Sequence, residues 1–167
     1  ISEKLIRRHP HIFNSTNVSG VDEVLHNWEK IKISEGKKSA LQGVPKSLPA
    51  LLKASRIQAK AARVGFDWDK YDDVIKKVDE ELNELKAAEK SKEKDKIEEE
   101  LGDLLFSIVN ISRFLEINPE DALRKTINKF IKRFTSIEKE IAKQGKRLED
   151  VSLEEMDKIW EKTKDFE

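Results

Sequence analysis

"VDEELNEL" at 78–85 returns nineteen positions later as "IEEELGDL" at 97–104. Both stretches read aliphatic, two residues, Glu, Leu, one residue, acid, Leu. Aliphatic side chains spaced by four and three mark one face of an α-helix. Val74, Ile75, Val78, Leu82 and Leu85 keep that spacing in the first segment; Ile97, Leu101, Leu104, Leu105 and Ile108 keep it in the second. The charged "KAAEKSKEKDK" at 86–96 lacks apolar anchors and reads as frayed helix ends around a solvated turn. An antiparallel helix pair is therefore expected here.

Working outward, the same period recurs. "SLPALLKASRIQAKAARV" at 47–64 reads as a helix with Pro49 in its first turn and Gly65 just past its end. Asn118 is a candidate cap with Pro119 at the first helical position, predicting a helix to about 143 that ends near Gly145. "SLEE" at 152–155 is a capping box that starts a last helix. Nothing alternates at strand period. The fold class is all-α, an antiparallel helical bundle.

Composition narrows the function. Of 167 residues 37% are apolar and 40% charged, which supports one domain, or one domain plus part of another, with a densely ionic surface. Thirty-three acids balance thirty-three bases, so the basic excess expected of a nucleic-acid binder is missing. There is no Cys, hence no disulfide or thiol chemistry. No membrane-spanning run and no signal peptide occur, and a cytoplasmic location is expected. The Lys and Glu enrichment fits a heat-adapted source.

An internal duplication is also visible. "KLIRRH" at 4–9 parallels "KFIKRF" at 129–134, setting Lys4 against Lys129 and Arg8 against Arg133. "VDEVLHNWEKIK" at 21–32 parallels "LEEMDKIWEKTK" at 153–164, setting Trp28 against Trp160 and Lys32 against Lys164. Two matches in the same order point to shared ancestry. The first copy has no acidic helices before it, so the chain is read as starting part-way through that copy. Lys4, Arg8, Trp28 and Lys32 are then expected to be structural.

The acids carry the chemistry. At about 100° per residue, Glu81 with Glu84, and Glu100 with Asp103, each fall on one edge of their helix's apolar stripe. If the stripes pack, four carboxylates converge and repel one another unless cations hold them. Mg²⁺, or Mn²⁺ in its place, suits such an oxygen-rich set. Gly102, away from the acids, is expected to allow close helix packing. The histidines are His9, His11 and His26, none near the acids, which argues against di-iron, zinc-hydrolase and His-dependent triad chemistry. No glycine-rich phosphate loop occurs.

Glu81-x-x-Glu84, fifteen residues, then Glu100-x-x-Asp103 resembles the ExxE…ExxD motif of the MazG nucleoside triphosphate pyrophosphohydrolases. "RRHPHIF" at 7–13, "GVPKSLPALL" at 43–52, "AARVGFDW" at 61–68, "EEELGDLLF" at 98–106, "KFIKRF" and "IWEKTK" extend the resemblance over nearly the whole chain. It implies an all-α NTP pyrophosphatase that cleaves NTP to NMP and pyrophosphate with Mg²⁺, in a bundle completed by homodimerisation. Residues 1–34 would be the tail of a first MazG-like unit, 35–48 a linker and 49–167 a complete catalytic unit. Glu81, Glu84, Glu100 and Asp103 would be the catalytic and metal-binding set, a metal-activated water attacking the α/β linkage with Glu84 or Glu100 taking its proton. Lys129 and Arg133, one turn apart, would grip phosphate oxygens, with Trp160, Lys164 and Asn128 completing the substrate-binding set. The rival reading is a non-catalytic helical dimerisation module whose carboxylates sit in surface salt bridges.

Overall fold

The structure is a computed structural model. It describes residues 2–14, 18, 20, 23–24, 27–28, 31, 36 and 39–164, without the side chains of Lys4, Arg7 and Arg8. Every regular element among them is helical: α1 (Ser2–Arg8), α2 (Pro10–Phe13), α3 (Ala50–Ala62), α4 (Tyr71–Ser91), α5 (Lys94–Phe114), α6 (Pro119–Lys143) and α7 (Leu153–Lys164), with a short 3₁₀ turn at Leu148–Asp150. By contact the chain divides into Ile1–Pro119 and Glu120–Glu167.

In the first unit α4 and α5 fold back on each other as a hairpin, and α3 packs against α5. The hairpin is tighter than its sequence suggests. The charged stretch is helical almost throughout, leaving only Lys92 and Glu93 to turn the chain. Ala88, 6% exposed, is the anchor that a count of large apolar residues overlooks. Lys92 makes the turn at φ 61°, a left-handed conformation usually left to glycine.

The buried seam of α4 also differs from the expected one. Val74, Glu81 and Ala88, seven apart, are its buried residues, whereas Leu82 stays 38% exposed and Leu101, Leu105 and Ile108 of α5 stay 45–49% exposed. Hydrophobic spacing marks a helix face but not which neighbour covers it. Gly102 corrects another expectation: a Cβ placed there meets nothing within 4 Å, so no close packing in this chain requires it.

In the second unit α6 and α7 enclose a small core. Ile137, Ile141 and Val151 are buried, with Phe134, Leu148, Met156, Ile159 and Trp160 packed around them. The turn after α6 closes as Lys146 N–H donates to Ile141 O at 3.3 Å, with Gly145 at φ 70°. Ser152 caps α7 as expected, its Oγ accepting from the Glu155 N–H at 3.2 Å. The Glu155 carboxylate, however, pairs with Lys146 at 2.5 Å.

Candidate active site

The hairpin places its acids by helical phase. Glu81 and Glu84 are one turn apart on α4, and Glu100 faces them from α5. Ligand oxygens of these three carboxylates lie within 4.8 Å of one another. Glu81 is buried, Glu100 half-buried and Glu84 exposed, so the cluster runs from the protein interior to solvent. Such a set of hard oxygens with an open side fits a hard divalent cation that keeps water ligands. Asp103 lies outside this three-carboxylate group and lines a neighbouring cavity together with Glu81.

The electrostatics follow from crowding. Partial desolvation, then the charges of Glu81 and Glu100, push the Glu84 carboxyl above its ordinary value, against the pull of Lys77. Lys77 lies one turn before Glu81 and pairs with it at 2.7 Å, and with Glu80 at 2.8 Å. Hydrogen bonds to Glu80 and then Glu81 hold the Lys77 ammonium well above its ordinary range. Lys77 thus supplies one positive charge to a buried carboxylate that has two acidic neighbours.

The adjoining cavity has a volume of about 590 Å³. The chain reaches it through a turn after α3, where Phe66 N–H donates to Ala61 O at 3.1 Å and Gly65 takes φ 90°. That reversal carries Phe66 and Trp68 onto the cavity wall. Asp67 fixes the segment to α5: Arg113 Nη1 donates to Asp67 Oδ2 at 2.8 Å, and Nη2 pairs with Oδ1. Asn110 Oδ1 in turn accepts from Arg113 Nε at 3.0 Å and from Nη2 at 2.9 Å.

Residues 70–137 match the MazG nucleotide pyrophosphohydrolase domain. The chain carries a MazG domain. It is 48% identical over 167 residues to the nucleoside triphosphate pyrophosphohydrolase/pyrophosphatase MazG of Thermotoga maritima, covering 98% of this chain and 63% of that protein. It is 43% identical over 170 residues to the nucleoside triphosphate pyrophosphohydrolase of Escherichia coli, covering 98% and 65%. The uncharacterized protein YabN of Bacillus subtilis is 46% identical over 171 residues, covering all of this chain and 35% of YabN. The chain therefore spans less than two thirds of these relatives. No described helix is long and apolar enough to cross a membrane.

The remaining sequence candidates lie in the second unit. Trp160 is half-buried against its core; the Arg133 guanidinium lies 5.4 Å from the centre of its ring and Phe130 packs 5.3 Å away. Lys164 pairs with Glu161, while Lys129 and Asn128 are exposed on α6. Arg133 also lines a groove of about 570 Å³ with Lys132, Lys139, Lys143 and Lys162, cations that the motif reading did not single out. From the duplicated first copy, Trp28 is half-buried; Lys32, His26 and the Lys4 and Arg8 side chains lie outside the described residues. Sequence reasoning also missed Lys77, Gln58 and Arg113. The "GFDW" after α3, with its helix-ending glycine, was the one local signal of the cavity wall.

Proposed function

We propose that this MazG chain hydrolyses nucleoside triphosphates to NMP and pyrophosphate. The observation carrying the reading is the three-carboxylate cluster, which lies within the MazG match and beside a cavity. Glu81, Glu84 and Glu100 would hold Mg²⁺, with Mn²⁺ as a substitute, and Asp103 completes the acidic set from the cavity wall. When bound, the cation offsets the triphosphate's charge and acidifies water. Water oxygen adds to phosphorus at the α/β anhydride, the bridging P–O bond breaks and pyrophosphate leaves. Glu84 or Glu100 takes the water's proton. Lys129, Arg133 and Lys164 bind phosphate oxygens, and Trp160 keeps the Arg133 guanidinium oriented across its face. Asn128 belongs to the same set. The domain division into 1–34, 35–48 and 49–167, and a cytoplasmic location, belong to this reading.

A homodimer accompanies the activity. Within the first unit, Leu101, Leu105, Phe106 and Ile108 on α5 remain 43–49% exposed. An apolar row of that length calls for a partner, and a second copy supplies the same row in reverse.

The test is product analysis after incubation with a panel of NTPs and dNTPs, with Mg²⁺ or EDTA, alongside Glu100→Gln. Metal-dependent NMP and pyrophosphate, lost in the variant, are expected. Release of NDP and phosphate, or no turnover, would overturn the proposal.

A further inference from the structure

The groove of about 570 Å³ in the second unit has walls from both α6 and α7, and its volume falls in the range of small-molecule sites. Helical phase builds its cationic wall. At about 100° per residue, Lys132, Ser136, Lys139 and Lys143 fall within about 60° of one another on α6. Ile159, Lys162 and Thr163 line the groove from α7.

The charge here is segregated. The chain balances 33 acids against 33 bases, yet Lys132, Arg133, Lys139, Lys143 and Lys162 share this groove with a single carboxylate, Glu140. Glu140 pairs with Lys143 at 3.2 Å. Lys132, Lys139 and Lys162 make no ion pair among the described residues. Like charges on one helix face repel one another, and a bound polyanion relieves that repulsion.

The lining also narrows the ligand. Single-stranded nucleic acid is held by a basic groove together with aromatic rings that stack on its bases, and the lining has no aromatic ring. Ser136 Oγ donates to the Lys132 carbonyl at 3.1 Å and Thr163 Oγ1 to the Trp160 carbonyl at 2.7 Å, so both hydroxyl protons are used internally. Recognition is left to the ammonium groups, point charges that suit phosphate oxygens. From Lys132 to Lys143 the row runs about 16 Å at about 1.5 Å per residue, farther than one phosphate reaches.

We propose that this groove is an anion site for linked phosphate groups, read by charge and not by base. It goes beyond the pyrophosphohydrolase reading: of the residues assigned there to substrate, Arg133 alone lines the groove, and the test leaves Arg133 in place. The tail of a nucleotide and a free oligophosphate share the required chemistry.

The test is calorimetric titration with inorganic tripolyphosphate in buffer freed of divalent cations, where the bare carboxylate cluster repels the probe. Lys139→Gln, Lys143→Gln and Lys162→Gln, all at exposed positions, are each expected to weaken binding about threefold, and the triple variant about thirtyfold. Glu140→Gln removes the opposing charge and should tighten binding about threefold. Orthophosphate, too short for the row, should bind at least about tenfold more weakly than tripolyphosphate. An NTP analogue with a methylene at the α/β bridge separates the sources. Affinity equal to that of tripolyphosphate identifies a free oligophosphate, and tighter binding that the triple variant loses identifies a nucleotide tail. Undiminished binding in the triple variant, or orthophosphate equal to tripolyphosphate, would overturn the proposal. So would a single-stranded RNA oligonucleotide that outbinds tripolyphosphate and is lost in the triple variant, or an NTP KM that rises in step with the lost affinity. Because the titration needs neither metal nor turnover, a wild type without hydrolase activity leaves this result standing.

Discussion

Replacing Lys77 by Met tests whether its ammonium stands in for a metal ion. The substitution keeps the apolar stem and removes the charge lying 2.7 Å from Glu81. Removing one member of a fully buried ion pair costs about 3–5 kcal/mol, and an exposed pair is worth about 0–1 kcal/mol. Here the Glu81 side chain is 8% exposed and that of Lys77 35%, so the pair lies between those limits. A loss of about 2 kcal/mol follows for the metal-free protein, or about 4–8 °C in Tm for a chain of this size. Saturating Mg²⁺ supplies the missing charge, so the gap should nearly close. By linkage the variant then binds Mg²⁺ about thirtyfold more tightly. Melting curves in EDTA and in a Mg²⁺ series measure both quantities. If Mg²⁺ raises the two Tm values equally, the ammonium and the ion do not compete for Glu81 and the reasoning fails.

Other outcomes follow from the same geometry. Glu84 has a raised folded-state pKa, so its ionised form disfavours the fold; the penalty is full above that pKa and absent below the ordinary value of 4.5. In EDTA, Glu84→Gln should therefore melt above wild type at pH 7, the difference vanishing as pH falls toward 4; a constant difference would refute the cause. Gly65→Ala places a side chain at φ 90° and should cost about 1–2 kcal/mol, read by melting. Leu105→Glu, at a position 49% exposed within the chain, should halve the mass seen by light scattering while leaving helical circular dichroism intact. Ile141→Ala, where 2% of the side chain is exposed, should cost about 2–5 kcal/mol, read by denaturant titration.

How much of this was legible in sequence depends on the range of each interaction. Helix period, the Ser152 cap and the stop at Gly145 are local, and the chain states them directly. The carboxylate cluster was legible because Glu81 and Glu84 share a helix face and the repeat at 97–104 supplies Glu100 in the same phase. The turn at Lys92 was misjudged because a small residue, Ala88, does the anchoring and a lysine adopts the glycine-like conformation. Gly102 was given a packing role because a mid-helix glycine costs stability, yet no neighbour in this chain approaches it. Gln58 and Arg113 lay beyond reach: their partners, Phe106 and Asp67, are 48 and 46 residues away, and no periodicity announces such a pairing.

The tie between Arg113 and Asp67 bears on how such a protein can change over time. It fastens the aromatic segment to the last turn of α5, while Glu100 sits near that helix's first turns. Substitutions at Phe66 or Trp68 alter side chains on a tethered loop and leave the acidic residues in register. A lineage could thus retune which ligand it prefers, residue by residue, while the machinery that acts on the ligand is inherited unchanged.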